Sequence, residues 1–517
     1  MLIIKNLTIR DLKDRILLES LSFTVQKYDK IAIIGEEGNG KSTLLKLLYN
    51  EQLVKQYCEY HGSIQKEGLR LGYLPQFMDE AWLAHSASDF LLKETPDEAV
   101  AIERYNDLAD LLALASTIQL SAAILENDQL IATLSGGEKM KLQLLKLLHA
   151  KPDVLLLDEP TNDLDIETLE WLEEFLLATQ VPLLFISHDE TLLERVANGI
   201  LHLEQLEKKK APKHTFERLG YQEYVQKRYH LIDRQNMISR KEKAEHEKQL
   251  EKWRQIYQKV EHRQATITRQ DPHGGQLLKK KMKSVKAMKR RIDKEEITGK
   301  IEPEESISLF FADFEPFAPS KIILDYQLDQ LQITDHVLAT GISLFIKGQD
   351  KIVIFGKNGV GKTTLLKKLY AELKKKPDLR VGYMPQTYEE LLDGHENAVT
   401  FLAPDHDKET ITKARTMLGN AKFTVDEMER PLTDLSGGQK AKLVLIHLIM
   451  SNVNVLVLDE PTRNLSPLSN PVIRNMLIAF PGVILSVSHD RKFIEEVADT
   501  CYELTAEGLT EYEKRIS

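Results

Sequence analysis

The stretch that decides the fold is Gly35-Glu36-Glu37-Gly38-Asn39-Gly40-Lys41-Ser42. It follows a short apolar run typical of a strand, Ile31 to Ile34, and precedes a leucine-rich segment typical of a helix, residues 43–48. Strand, glycine-rich loop and helix in this order predict a phosphate-binding loop, because unhindered backbone N–H groups and a helix start both favour an anion. The pattern returns as Gly356-Lys357-Asn358-Gly359-Val360-Gly361-Lys362-Thr363.

Four further motifs occur twice and in the same order, which makes the chain an internal repeat. They are Gly72 to Gln76 with Gly382 to Gln386, Leu134 to Glu138 with Leu435 to Gln439, Val154 to Thr161 with Val455 to Thr462, and Ile186 to Asp189 with Val487 to Asp490. We predict that the first copy occupies residues 1–205 and the second copy residues 306–517. The predicted fold class is α/β, with one P-loop nucleotide-binding domain in each copy.

Residues 206–305, between the two copies, have a different composition. Residues 206–300 contain about 27 Lys or Arg and about 13 Asp or Glu, although the whole chain has a net charge of −10. We predict one long helix over 222–262, a break at 271–275 and a second helix over 277–294, which form a long antiparallel α-helical hairpin linker. A basic segment on an acidic body is typical of a polyanion contact. A solvated helix face is the alternative interpretation.

The composition excludes several other classes of protein. The chain has 517 residues, 29% of them charged and 42% hydrophobic, and it has no apolar run of about 18 residues that could cross a membrane. Its first residues, Met1 to Lys5, lack the layout of a signal peptide. The two cysteines, Cys58 and Cys501, form no metal or redox motif. We therefore expect a soluble cytoplasmic protein without a membrane partner.

The two glycine-rich loops carry side chains suited to ATP and Mg²⁺. Lys41 and Lys362 are expected to reach the β- and γ-phosphates, and the hydroxyls of Ser42 and Thr363 to ligate Mg²⁺. Further residues predicted to bind the nucleotide are Gly35, Gly38, Gly40, Thr43, Gly356, Gly359, Gly361 and Thr364.

Two acidic residues end the apolar run of each Val154-type motif. Asp158 and Asp459 come first, where a carboxylate can hold the magnesium shell. Glu159 and Glu460 follow, where a carboxylate can polarise the water that attacks the γ-phosphate. The alternative is that these acids only cap the junction between strand and loop.

Histidine and glutamine recur at equivalent positions in both copies. His188 and His489 each follow an apolar strand and a serine, at the same distance from the acidic pair, so we predict that both contact the γ-phosphate and take part in catalysis. Gln76 and Gln386 are predicted ligands of Mg²⁺ or of the attacking water.

A third element, Leu-Ser-Gly-Gly, begins a helix in each copy. Ser135 and Ser436 are good N-cap residues, and the glycines that follow, Gly136 and Gly137 or Gly437 and Gly438, leave the helix start open to an anion.

Together these elements resemble the ATP-binding cassette superfamily over almost all of both copies, and LSGGE and LSGGQ are the most specific strings. In that family two cassettes pack head to tail, and the signature of one closes over the nucleotide of the other. The resemblance implies two composite sites that hydrolyse ATP. The first site would join Lys41, Ser42, Asp158, Glu159 and His188 to Ser436, Gly437 and Gly438. The second site would join Lys362, Thr363, Asp459, Glu460 and His489 to Ser135, Gly136 and Gly137.

Two fused cassettes with a charged helical linker resemble the ABC-F subfamily in particular. Residues 158–165 are similar to its DEPTNHLD string, and Gly220 to Tyr224 to its G-x-Y-x-x-Y entry to the linker. The resemblance implies a monomer with paired cassettes that binds the ribosome through linker 206–300, toward rRNA, the P-site tRNA and the peptidyl-transferase centre. The basic residues expected to contact phosphates are Lys279, Lys280, Lys281, Lys283, Lys286, Lys289, Arg290 and Arg291.

The chain departs from the family pattern in three places. Leu12 and Ile333 stand near the positions where an aromatic ring usually stacks on adenine, so we predict relaxed nucleotide choice. Ser466 stands where the first copy has Asp165, an acid that helps to couple the sites, so we predict unequal sites. No arm is inserted between Lys41 and Gln76, which resembles members that protect ribosomes from antibiotics.

Two other functions remain open from the sequence. The chain could be the ATPase subunit of an exporter, since fused cassettes occur in transporters, or a DNA-associated ATPase, since duplex DNA would also attract the basic linker. The basic hairpin argues against the exporter, which has no use for it.

Overall fold

A computed structural model describes residues 1–100, 104, 107–206, 211–266, 272–294, 300–301, 303, 307, 309–311, 316–333 and 336–512. The chain divides into two compact units, Met1–Tyr221 with Glu304–Ser517, and Gln222–Pro303. Both sequence repeats thus belong to one unit and the linker forms the other. The boundaries predicted from the sequence, at 205/206 and 305/306, stay a prediction.

In the described part of residues 1–221, which holds the first repeat, nine strands form two sheets. The strands are β1 Leu2–Asp11, β2 Ile16–Val25, β3 Lys30–Ile34, β4 Cys58–Gln65, β5 Leu71–Leu74, β6 Val154–Asp158, β7 Leu183–Ile186, β8 Gly199–Gln205 and β9 Ala211–Glu217. The small antiparallel sheet has the order β2-β1-β4 and the large sheet the order β5-β6-β7-β3-β8-β9. All neighbours in the large sheet are parallel except β8 and β9.

Among the residues described here, seven α-helices accompany these sheets: α1 Lys41–Tyr49, α2 Ala87–Leu92, α3 Leu108–Thr117, α4 Ala122–Glu126, α5 Gly136–His149, α6 Ile166–Ala178 and α7 Glu190–Val196. In α1 the leucines at 44, 45, 47 and 48 are buried. The five residues of β6 are buried as well, as expected for a central parallel strand covered on both faces.

The described part of the linker forms two helices, α8 Tyr221–Thr266 and α9 Pro272–Ile292. They are antiparallel, since the Trp253 indole donates to the Val285 carbonyl at 2.9 Å and His246 Nε2 lies 3.3 Å from the Ile292 carbonyl. The predicted hairpin is confirmed. The predicted break was wrong for residues 272–275, which form the first turn of α9, because proline at a helix start loses no hydrogen bond. Asp271 lies outside the described residues.

In the second repeat the described residues form eight strands: β10 Ile322–Ile333, β11 His336–Lys347, β12 Lys351–Phe355, β13 Val381–Met384, β14 Val455–Asp459, β15 Val483–Val487, β16 Thr500–Thr505 and β17 Gly508–Tyr512. Its large sheet has the order β13-β14-β15-β12-β16-β17, and β10 pairs with β11. The order in the large sheet matches that of the first repeat strand for strand.

The helices of the second repeat are α10 Lys362–Lys374, α11 Glu389–Leu392, α12 Ala398–Leu402, α13 Lys408–Asn420, α14 Val425–Glu429, α15 Gly437–Met450, α16 Asn470–Ile478 and α17 Arg491–Val497. No helix in the described ranges is long and apolar enough to cross a membrane. In both large sheets, the strand that precedes the P-loop lies beside the strand that leads to the histidine, and the strand that ends in the acidic pair lies next in order. Parallel pairing therefore brings the P-loop, acids and histidine of each repeat to one sheet edge.

Candidate active sites

Each P-loop is packed closely against a neighbouring strand. A Cβ on Gly35 would lie 2.2 Å from the Leu203 carbonyl oxygen, and one on Gly356 would lie 2.4 Å from that of Leu504. Both glycines have φ near +140°, at 142° and 146°. The close approach and the backbone conformation together require glycine at the start of both loops.

The lysine of each loop is buried and bonded to its own loop. Lys41 Nζ donates to the carbonyls of Gly35 at 2.8 Å and Glu36 at 3.1 Å. Lys362 Nζ donates to the carbonyls of Gly356 and Lys357, both at 2.9 Å. The ammonium groups are thus held inside the loops, where a phosphate would be surrounded.

At the first site, a polar cluster surrounds Asp158. Its carboxylate accepts from Ser42 Oγ at 2.9 Å and from Tyr73 OH at 3.1 Å. Burial raises the pKa of Asp158, and the two hydroxyls oppose this effect. The predicted magnesium ligands Ser42 and Asp158 therefore lie together, and Tyr73 joins them.

Glu159 is held by three side chains of its own repeat. Its carboxylate lies 3.0 Å from Gln76 Nε2, 2.8 Å from Asn162 Nδ2 and 3.1 Å from His188 Nε2. Burial alone would raise its pKa, but His188 and then Lys41 lower the pKa of Glu159 to about 2. The predicted base at the first site is thus ionised at neutral pH.

His188 also connects the two repeats. Its Nδ1 lies 2.6 Å from the carbonyl oxygen of Leu465, which belongs to the second repeat. The ring therefore bridges Glu159 of its own repeat and the Leu465 carbonyl of the other repeat. The second repeat therefore orients a side chain that holds Glu159.

The second site is a cavity of about 360 Å³ between the repeats. Residues of the first repeat that line it include Asn162, Asp163 and His188. Predicted site residues that line it are Gly359, Gly361, Lys362, Thr363, Thr364, Gln386, Asp459, Glu460 and His489. The cavity thus joins the two repeats, although Ser135, Gly136 and Gly137 are not among its lining residues.

The acids of the second site are less well paired than those of the first. Neither carboxylate oxygen of Asp459 has a hydrogen-bond partner within normal distance among the described residues, nor does His489 Nδ1, and burial raises the pKa of Asp459 while the nearby Thr363 hydroxyl opposes this rise. His489 Nε2 lies 3.9 Å from Glu460. Burial raises the pKa of Glu460 to about 8, and burial followed by repulsion from Lys362 lowers that of His489 to about 3. Buried carboxylate oxygens without partners in a cleft fit a cation.

The signature serines cap their helices as predicted. Ser135 Oγ accepts from the backbone N–H of Glu138 and Ser436 Oγ from that of Gln439, both at 3.3 Å. At the first site the backbone N–H of Gly438 donates to Glu37, in the P-loop of the first repeat. The signature of the second repeat therefore faces the first P-loop, and a carboxylate lies at the N-terminus of α15.

Glu36, in the same P-loop, also inserts into the second repeat. Its carboxylate lies 2.8 Å from Lys442 Nζ, accepts from Ser466 Oγ at 2.6 Å and contacts Ser469 Oγ. Burial opposes ionisation, but Lys442 and the two hydroxyls hold the pKa of Glu36 well below its usual range. An acid is thus present beside Ser466, and it comes from the other repeat.

The two positions where an aromatic ring would stack on adenine are both exposed to solvent. The side chain of Leu12 is 66% exposed and that of Ile333 is 49% exposed, and Ile333 lines the cavity. An aliphatic contact is therefore available at the second site.

Several functional residues were not found from the sequence. The motif pattern assigns no role to Glu36 and Glu37, although two acids inside a phosphate-binding loop are an unusual charge pattern. Asn162 and Tyr73 sit within motifs that were noted, but only the tertiary contacts show that they hold the acids.

Comparison with protein families matches residues 18–162 and 339–463 to the ABC transporter family. Curated relatives include the ATP-binding protein Uup of Buchnera aphidicola subsp. Schizaphis graminum, 28% identical over 95% of this chain and 79% of the relative. Another is the ABC transporter F family member 2 of Arabidopsis thaliana, 25% identical over 96% of this chain and 75% of the relative. The resemblance to ABC-F proteins is confirmed.

Among solved structures, the archaeal ribosome recycling factor aABCE1, in complex with the archaeal ribosomal stalk protein aP1, has a similar fold. The TM-score is 0.58 with 17% identity, covering 98% of this chain and 89% of that chain. This likeness confirms the tandem arrangement of two P-loop domains.

Proposed function

The chain belongs to the ABC transporter family and hydrolyses ATP, and on this premise we propose that it binds the ribosome and acts on translation through its basic hairpin. The ATP would be bound at two composite sites. A cytoplasmic location follows from this proposal, because ribosomes are its partner.

The residues at both sites fit a nucleotide with Mg²⁺. In the first site Ser42, Gln76 and Asp158 would hold the ion, and in the second Thr363, Gln386 and Asp459 would do so. When bound, Mg²⁺ neutralises phosphate charge. The unpaired, buried carboxylate of Asp459 is the observation that supports a cation there.

Catalysis would rest on the glutamate that follows each aspartate. Glu159 and Glu460 would orient and polarise the attacking water, while Lys41 and Lys362 bind phosphate oxygens. His188 would hold Glu159 from one side and meet Leu465 on the other, so closure of the two repeats and alignment of the base would be linked.

The observation that carries the ribosomal proposal is the basic face of α9. All eight of its predicted phosphate-binding side chains are exposed, in a chain whose net charge is −10. They are Lys279, Lys280, Lys281, Lys283, Lys286, Lys289, Arg290 and Arg291. A helix surface with this many exposed cations attracts RNA phosphates, and α8, with 46 residues, is about 70 Å long by helix rise.

The comparisons support the same partner. The protein of similar fold is described as a ribosome recycling factor, and curated relatives include F family members. We propose further that the chain protects ribosomes against antibiotics bound near the peptidyl-transferase centre, with the linker directed to rRNA and P-site tRNA.

Sedimentation of the purified chain with 70S ribosomes through sucrose, with and without the Glu159→Gln/Glu460→Gln double substitution, tests the proposal. We expect the double variant to accumulate on ribosomes in ATP. Binding to duplex DNA but not to ribosomes would favour a DNA-associated ATPase instead, and recovery only with membranes would favour an exporter subunit.

The hairpin itself can be tested by two changes. Replacing residues 264–278 with a short Gly-Ser turn should keep the intrinsic ATPase rate and most ribosome binding but abolish any effect on translation or drug susceptibility. Of these residues, 267–271 lie outside the described part of the chain. Full cellular effect of the shortened chain would contradict the proposal.

The companion change replaces Lys279, Lys280, Lys281 and Lys283 by Glu. It should weaken ribosome binding and flatten its salt dependence, by about 0.7–0.9 log–log units for each phosphate that a lysine no longer neutralises. Replacement of the four lysines by Arg is the matched control, because it keeps the charge.

A further inference from the structure

The ion pairs between the two repeats all have their charges arranged in the same direction. In every such pair among the described residues the acid comes from the first repeat and the base from the second. Two otherwise equivalent domains thus present opposite charges to each other. A random placement of charges would mix the two directions.

The most buried of these pairs lie beside the histidine loops. The Arg474 guanidinium is 3% exposed and lies 3.1 Å from a carboxylate oxygen of Glu190, itself 8% exposed. Arg491 pairs with Glu173, which is fully buried. Charges this deep are strongly sensitive to the removal or reversal of a partner.

The two buried pairs are copies of each other under the internal repeat. The interval from Glu159 to His188 equals that from Glu460 to His489, so Glu173 corresponds to Arg474 and Glu190 to Arg491. Each pair therefore joins a glutamate of the first repeat to the non-equivalent arginine of the second.

The charge exchange extends to the partners within each repeat. Glu173 also pairs with Arg195 of its own repeat, and the equivalent Arg474 pairs with Glu496. Three positions have thus exchanged sign together: Glu, Glu and Arg at 173, 190 and 195 correspond to Arg, Arg and Glu at 474, 491 and 496. We call each set a latch.

The P-loops follow the same rule. Glu36 of the first repeat meets Lys442 at 2.8 Å, and the equivalent Lys357 meets Glu167 at 2.8 Å. In a pairing of two second repeats, Lys357 would face Lys442. In a pairing of two first repeats, Glu36 would still have a lysine opposite it, Lys141 in place of Lys442, but it would face Asp165 instead of Ser466.

We propose that these charges are a pairing code, by which each repeat accepts the other repeat and rejects a second copy of itself. Two first repeats would bring Glu173 against Glu190, and two second repeats would bring Arg474 against Arg491. Both pairings are unfavourable, because like charges would face each other in a site with little water. The partner selected by this surface is therefore the other repeat of the same chain.

The test exchanges whole latches. Variant A carries Glu173→Arg, Glu190→Arg and Arg195→Glu, and variant B carries Arg474→Glu, Arg491→Glu and Glu496→Arg. Each alone should lose at least about tenfold in ATPase rate, because composite sites need paired repeats. The chain with both exchanges should recover to within about threefold of wild type. Glu174→Arg, an exposed neighbour on α6 with the same net charge change as variant A, should leave the rate unchanged.

Mixing A with B provides a second measurement. Each chain alone should have the mass of one 59.2 kDa chain in light scattering, and the equimolar mixture should form a species of twice that mass with restored ATPase activity. The code would be overturned if variant A or variant B had wild-type activity. It would also be overturned if the sixfold variant folded with a native circular dichroism spectrum but stayed inactive. If the sixfold variant does not fold, the mixture of A and B provides the test. Absence of a species with twice the mass of one chain would then contradict the pairing code. None of these readouts involves ribosomes, so they are independent of the function proposed above.

Discussion

The first and second sites are built from the same motifs but differ in their P-loops. The first loop carries Glu36 and Glu37, and both carboxylates engage the second repeat at Lys442 and at the N–H of Gly438. The second loop carries Lys357 and Asn358 instead, and the Asn358 amide donates to the Asp163 carbonyl at 2.6 Å. Two residues that the P-loop pattern leaves free therefore decide how each site meets its opposite repeat.

The difference also accounts for Ser466. The serine replaces an acid, but Glu36 supplies a carboxylate at the same place from across the interface. At the second site the acid stays at Asp165, and a cation, Lys357, is in the loop. The carboxylate that couples the two sites thus comes from the P-loop at the first site and from Asp165 at the second. Carboxylates in the P-loop and at the Asp165 position of one site would repel each other.

The largest expected effect is on catalysis. Glu159→Gln with Glu460→Gln should lower turnover by at least about 100-fold while ATP still binds, because the water loses its base. Phosphate release and nucleotide binding measure the two properties. The single variants should differ in residual rate, and Glu174→Gln on the exposed face of α6 is the control. Equal residual rates in the two single variants would contradict the prediction that the two sites are unequal.

Reversal of the P-loop charge should come next. Glu36→Lys places a cation against Lys442 in a nearly buried position, and we expect the ATPase rate to fall about tenfold. Adding Ser466→Asp should restore most of it. Glu174→Lys, which makes the same charge change at an exposed position of α6, is the matched control. A rate unaffected by Glu36→Lys would show that this contact is incidental.

Glu37→Asn should tighten ATP binding at the first site. A carboxylate at the start of α15 competes with phosphate for the same N–H group, and a charge there contributes about 0.3–1 kcal/mol, which corresponds to about 2–5-fold in affinity. Titration in the hydrolysis-deficient double variant measures it. The reciprocal Asn358→Glu should weaken binding at the second site, and an unchanged affinity in both would contradict the idea.

The acids should also differ in their effect on stability. The pKa of Glu460, about 8, is raised above its usual 4.5, so the free energy of unfolding falls as pH rises between these values. Glu460→Gln should therefore raise the melting temperature by a few degrees at pH 8.5 and by less at pH 6, where only part of the loss has occurred. The pKa of Glu159, about 2, is lowered, so its ionised form stabilises throughout this range. Glu159→Gln should lower the melting temperature at both pH values, as scanning fluorimetry would measure.

Nucleotide choice should show the smallest effect. Without an aromatic ring at Leu12 or Ile333, the preference for ATP over GTP should stay below about 100-fold, roughly 2.7 kcal/mol. Ile333→Tyr should add stacking of about 1 kcal/mol at the second site only. Competition assays would compare it with Leu12→Tyr, and a preference above 100-fold in the wild type would contradict the expectation.

The amino-acid sequence was enough to predict the two α/β repeats, the hairpin and the residue types at both sites. P-loops, acidic strand ends and capped glycine starts depend on local backbone requirements that every copy of the motif must meet. The pattern of strand, loop and helix is therefore readable from one sequence. The start of α9 was misjudged because proline and glycine at a helix start look like those of a turn.

Only the tertiary structure decided which carboxylate meets which cation. Glu36 and Lys442 are 406 residues apart, and Glu190 and Arg474 are 284 apart, so no local periodicity relates them. Their charges become informative only once the repeats face each other, because Coulomb energy depends on distance and burial rather than on position in the chain. The motifs state what each site contains, whereas the packing of the repeats decides how the two sites differ.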